Sequence, residues 1–100
     1  MSHVGKSFLF DYGDLVVRMR YLSDNQLEWE QVKGPQVGLN AERAYGSSAI
    51  RSDIVFFWWE EKDRAIVTQV VDFGKGSVHT TWIASDKKPA GFQGRVVSLE

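Results

Sequence analysis

No cysteine occurs among the 100 residues, which removes disulfides, thiolate metal sites and cysteine nucleophiles at once. Histidine is nearly as scarce. His3 and His79 are the only two, too few nitrogen donors to make a zinc site by themselves, so no metal or other cofactor is expected. Charge of one sign is also missing: twelve Lys and Arg stand against thirteen Asp and Glu, for a net charge of −1. The densest basic stretch, Asp86-Lys87-Lys88-Pro89, reads as a solvated turn. Such a chain has no general attraction for phosphate backbones, and nucleic acid is not expected as a partner. The longest apolar run covers residues 54–59, far short of the roughly 20 residues that cross a bilayer as a helix. Residues 1–6 lack a signal-peptide pattern. No membrane partner is expected, and the expected compartment is the cytoplasm. Apolar residues at helical spacing are missing too, as are a phosphate-binding glycine loop and a nucleophile elbow.

What the chain does have is aromatic mass. Four Trp, six Phe and three Tyr bring the aromatic fraction to 13% and the hydrophobic fraction to 43%. Large rings fill the core of a small domain and also line ligand pockets. The length allows one domain, residues 1–100. Short β-rich runs recur about every ten residues with turn residues between them, an all-β signature. The runs fall at residues 7–12, 15–22, 27–32, 45–50, 54–59, 65–73, 77–84 and 92–99, and residues 33–43 read as a loop. A helical turn within residues 41–46 is the alternative for the end of that loop. About eight strands in sequence order predict a small up-and-down antiparallel β-barrel, whose closure removes exposed edges. A barrel of that size is nearly filled by its own side chains, with space for one small ligand.

Alternation along the strands picks out candidate residues. Val17, Met19 and Tyr21 share one face of the second run; Arg18 and Arg20 share the other. The two arginines read either as an anion clamp inside the barrel or as a solvated outer face. In the fifth run, Val55, Phe57, Trp59 and Glu61 share a face. Glu61 is either a carboxylate set against a cavity, where desolvation would fit it for proton transfer, or the start of a solvated turn. Residues 54–59 are apolar on both faces, which predicts burial of the second face under a loop, a helix or a second subunit. His3 falls near a terminus expected to fray, and His79 is expected to pack on a strand face.

Three segments carry a family resemblance. Gly5-Lys6-Ser7-Phe8-Leu9-Phe10-Asp11-Tyr12, Ser23-Asp24-Asn25-Gln26-Leu27-Glu28-Trp29 and Val55-Phe56-Phe57-Trp58-Trp59-Glu60-Glu61 resemble the opening, the second turn with the third strand, and the Trp-x-Glu strand of the bacterial phenolic acid decarboxylases. The broader resemblance is to the calycin-like group that includes the MoaF-like proteins, and it implies a lipocalin-like barrel. The decarboxylases convert hydroxycinnamic acids to vinylphenols without a cofactor; two tyrosines and a loop arginine hold the carboxylate while a glutamate shuttles a proton. Tyr12 matches the second tyrosine, and Glu61 and Trp59 match the Trp-x-Glu pair. Phe10 stands where the first tyrosine belongs. The arginine is replaced near Asn40, with Arg43 a few residues late.

The resulting expectation is a barrel that binds a small apolar or aromatic molecule through Phe8, Phe10, Tyr12, Arg18, Arg20, Trp29, Phe57, Trp59 and Glu61. The alternatives are a cofactor-free lyase in which Glu61 and Tyr12 are catalytic, and a non-catalytic interaction protein. A homodimer fits all three.

Overall fold

The structure is a computed structural model and describes residues 2–99. The β-rich runs become β1 (Ser7–Asp11), β2 (Val16–Tyr21), β3 (Gln26–Lys33), β4 (Asn40–Ala44), β5 (Gly46–Arg51), β6 (Ile54–Glu60), β7 (Ile66–Asp72), β8 (Ser77–Ile83) and β9 (Ala90–Ser98). All pair antiparallel in one sheet of order β4-β3-β2-β1-β9-β8-β7-β6-β5. Every pairing but one joins sequence neighbours. The exception, β1 with β9 from Phe8↔Ser98 to Asp11↔Arg95, curls the meander round. The two strands left at the edges, β4 and β5, are separated in sequence by Tyr45 alone. The result is a nearly closed barrel, with no helix among the described residues.

The strand count exceeds the expected eight because part of the stretch read as a loop is β4. Asn-Ala-Glu-Arg-Ala has little intrinsic strand preference; pairing with β3, from Gln26↔Ala44 to Glu30↔Asn40, makes it a strand rather than a helical turn. β4 and β5 are two halves of one bent strand. At the bend the Tyr45 N–H donates to the Asn25 carbonyl at 3.1 Å.

Alternation sets what lies inside. Phe8, Phe10, Met19, Tyr21, Leu27, Val55, Phe57, Trp59, Val67, Val71 and Val78 are buried, each side chain contributing roughly 1.5–3 kcal/mol through removal from water. Within this chain the outer face of β6 stays partly open. No helix or loop covers it: Trp58 lies across Gly46, directly opposite on β5, and stays 41% exposed. A Cβ at position 46 would collide with the indole, so glycine there makes room for the ring. His79 is exposed on β8.

Aromatic rings close one end of the barrel. Tyr21 stacks on Phe57 at 5.0 Å, Phe8 meets Phe73 at 5.0 Å, and Tyr45 packs against both Tyr21 and Phe57. His3 is part of this plug rather than of a frayed end. Its ring meets the edges of Tyr21 and Phe57 at 4.8 and 4.9 Å. Tyr45 Oη donates to the Ser23 carbonyl at 2.6 Å, so it accepts from His3 Nε2 at 3.0 Å. Burial lowers the His3 pKa from its ordinary value.

Candidate functional site

From the closed end toward the other, the inward side chains change character. β1 leads from Phe8 through Phe10 to Tyr12, β2 from Tyr21 through Met19 to Val17, β7 from Val71 through Gln69 to Val67, and β8 from Val78 through Thr80 to Trp82. Rings that meet one another give way to rings set apart, with aliphatic and polar side chains between them, and the interior opens into a cavity of about 180 Å³. A cavity of roughly 150 Å³ takes a benzene ring. Val17, Met19, Trp29, Trp59, Val67 and Trp82 form most of the apolar wall, with Tyr12, Gln31, Gln69 and Thr80 supplying polar groups. A wider hollow of about 580 Å³ adjoins it, sharing Trp29, Gln36, Leu39, Glu61 and Trp82 and adding Arg43 and Lys62. Gln36 and Leu39 come from the loop before β4.

Glu61 stands where the two spaces join. It is 7% exposed, just past the end of β6, and its backbone N–H donates to the Ala65 carbonyl at 2.8 Å. Trp29 Nε1 and Trp59 Nε1 both donate to Glu61 Oε2, at 2.9 and 2.7 Å. Arg43 Nε donates to Oε1 at 2.9 Å. Guanidinium and indole N–H groups only donate, so both carboxylate oxygens are engaged as acceptors. The carboxylate ties β3, β4 and β6 together across the cavity mouth and fixes the planes of two tryptophans.

Across the cavity, Tyr12 Oη and Thr80 Oγ1 are 2.6 Å apart. Burial pushes the Tyr12 pKa up to about 12, with hydrogen bonds from the Thr80 and Gln69 side chains working against that rise. Gln69, opposite Thr80 in the β7–β8 ladder, is 4% exposed and its Oε1 has no partner. The Tyr12 ring lies over Gly94, where a Cβ would strike both that ring and the Asp11 carbonyl. The missing side chain is what lets β9 approach.

Of the residues expected to bind ligand, the structure gathers Tyr12, Trp29, Trp59 and Glu61 around the cavity. Phe8, Phe10 and Phe57 face inward as alternation requires, but they lie toward the closed end and are at most 2% exposed, filling space rather than lining it. Arg18 and Arg20 are on the outer face, paired with Glu30 and Glu28 on β3. They project opposite to Val17, Met19 and Tyr21, so no anion clamp forms inside. Arg43, a few residues late in the sequence, still reaches Glu61, because β4 points it inward. Gln69, Thr80 and Trp82 escaped the sequence reading. Their signal was there: Gln69 and Thr80 are polar interruptions in the inward series Val67, Val71 and Val78.

The MoaF-like family profile matches residues 4–97. This chain belongs to the MoaF-like family. A search of curated proteins finds no match. Among solved structures, the MoaF-like barrel is similar to a Burkholderia vietnamiensis protein described as a "putative beta-lactamase". The two share 25% identity at a TM-score of 0.92, over 99% of this chain and 97% of the other. Among the described residues no three His, Asp or Glu side chains are grouped to hold a metal ion. The MoaF-like chain thus offers an aromatic-walled cavity, a carboxylate holding three hydrogen bonds at its mouth and a small polar cluster in its wall.

Proposed function

We propose that this MoaF-like chain binds one small, largely apolar or aromatic molecule in the open end of its barrel. The observation that carries the reading is the cavity itself: about 180 Å³, walled by Trp29, Trp59, Trp82, Met19 and Val67, with few polar groups converging on it. Enclosed apolar walls with a small number of placed polar groups are the ordinary build of a ligand site. Three of the four tryptophans line the space, so titration of tryptophan fluorescence is a direct test. A panel of aromatic acids, phenols, fatty acids and flavonoids is expected to contain compounds that quench saturably and raise the melting temperature. No response to any of them overturns the reading.

A second reading is a cofactor-free lyase acting on phenolic acids, with Glu61 as proton shuttle and Tyr12 as a contact to substrate. It is favoured by the presence of both residues at one cavity. Three donors already occupy Glu61, which fits a positioned anion better than a mobile proton carrier. Absence of vinylphenol from p-coumarate and ferulate at high protein concentration overturns it, as does full turnover by Glu61→Gln. Lactam hydrolysis, suggested by the name of the structural neighbour, finds less support. No serine or lysine lines the cavity, and its two hydroxyls, Tyr12 and Thr80, are bonded to each other. A homodimer joined through the outer face of β6 is proposed on the exposure of Trp58 beside Phe56; a monomeric mass at micromolar concentration overturns it.

A further inference from the structure

The charge and hydrogen-bonding character of the cavity wall restrict the ligand further than its apolar surface does. This step rests on reading the open end as a binding site. Glu61 is the sole charged residue lining the inner cavity among the described residues. The cations at the mouth, Arg43 and Lys62, line the outer hollow alone. Arg43 is already committed, through Nε to Glu61 and through Nη1 to the Glu42 carbonyl, both at 2.9 Å. An anion entering the inner cavity would lose its water, gain no cation, and face the Glu61 carboxylate. Gln69 adds a second constraint. Its amide is nearly inaccessible and lines the cavity, yet its Oε1 accepts nothing. A buried acceptor without a donor is costly, and a ligand that supplies the donor recovers that cost.

We infer that the inner cavity selects an uncharged aromatic molecule bearing a hydrogen-bond donor, a phenol or an aryl amine, and rejects the corresponding carboxylate. The donor goes to Gln69 Oε1 and the ring lies among Trp29, Trp59 and Trp82. The selectivity is opposite to that of a site for phenolic acids, so the inference also separates the binding reading from the lyase reading.

Three probes of one skeleton test it: 4-ethylphenol, ethylbenzene and 3-(4-hydroxyphenyl)propanoate, titrated at pH 7 with tryptophan fluorescence and calorimetry. 4-Ethylphenol is expected to bind about tenfold or more tighter than either of the others, the scale on which a site that needs a donor rejects its absence. In Gln69→Leu the preference for 4-ethylphenol over ethylbenzene is expected to shrink to about twofold. In Glu61→Gln the discrimination against the propanoate is expected to weaken about tenfold. Equal or tighter binding of the propanoate by the unaltered protein overturns the inference, as does a phenol preference that survives Gln69→Leu. If none of the three binds but another compound of the broad panel does, the head-group assignment fails and the cavity reading stands. If nothing binds at all, both fail.

Discussion

The two ends of the barrel are made from the same strands and the same inward faces, yet they are built for different ends. At the closed end, His3, Phe8, Tyr21, Tyr45, Phe57 and Phe73 meet ring against ring. Little inside that end is left to rearrange. At the open end Trp29, Trp59 and Trp82 stand apart around a space, and hydrogen bonds to Glu61 hold two of them. Ring packing and carboxylate bonding are different ways of fixing an aromatic side chain. The first consumes the interior volume; the second leaves it free. Stability should therefore concentrate at the closed end and ligand recognition at the open one.

Substitution of Phe57 by Ala is expected to do the most damage. The ring is fully buried within the plug, and its loss should cost about 3–5 kcal/mol, against about 1–2 kcal/mol for Trp82→Ala, whose ring already borders a cavity. Urea denaturation of the two variants measures the contrast; equal losses would break it. Next comes Glu61→Ala, which strands two indole N–H groups and Arg43 and should cost about 2–3 kcal/mol. Glu61→Gln keeps an acceptor for the indoles and should cost less, by the same assay.

A pH titration compares the ends without mutation. Tyr12 at the open end and Tyr45 at the closed end are both pushed up to about 12, chiefly by burial. The unfolded tyrosine ionises near 10 and the folded one near 12. Stability from these groups is thus whole below pH 10 and falls as pH rises from 10 to 12. Tyrosinate absorbance should appear with unfolding rather than before it. His3 acts on the acid side. Its folded pKa is depressed, so its contribution is whole above about 6.5 and is lost as pH falls below that. His3→Phe should flatten the acid limb alone.

Tyr21 sharpens the contrast further. Its hydroxyl is buried in the plug without a partner, whereas that of Tyr12 meets Thr80. Tyr21→Phe is expected to stabilise by up to about 1 kcal/mol, and Tyr12→Phe to destabilise by about the same amount, both read from melting curves. The smallest effect belongs to neither end. Arg20→Gln breaks an exposed pair with Glu28 on the outer wall, and should change stability by less than about 1 kcal/mol and ligand binding not at all. A clear loss of binding would place Arg20 in the site after all.

Much of the barrel was legible because period-two alternation is a local property. Met19, Tyr21, Phe57 and Trp59 announced the inside of their strands, and turn residues marked most boundaries. β4 was not legible, since Asn40–Ala44 becomes a strand through its partner rather than its composition. The depth of a residue along the barrel was equally hidden. Phe57 and Trp59 share one face of one strand, but the first lies in the plug and the second at the cavity. Which is which depends on the register of β6 against β7 and on what His3 and Phe73 bring from elsewhere.

The sequence by itself determined an all-β chain, the inward or outward direction of most side chains, and the richness in rings that any barrel made from it must bury. Tertiary structure alone decided that the rings gather at one end and leave a cavity at the other. It also decided that Arg43, Trp29 and Trp59 converge on Glu61, and that Gln69 and Thr80 face Tyr12. These meetings join residues as far as 68 positions apart. Alternation states which face a side chain takes; only barrel closure and strand register state what it meets there.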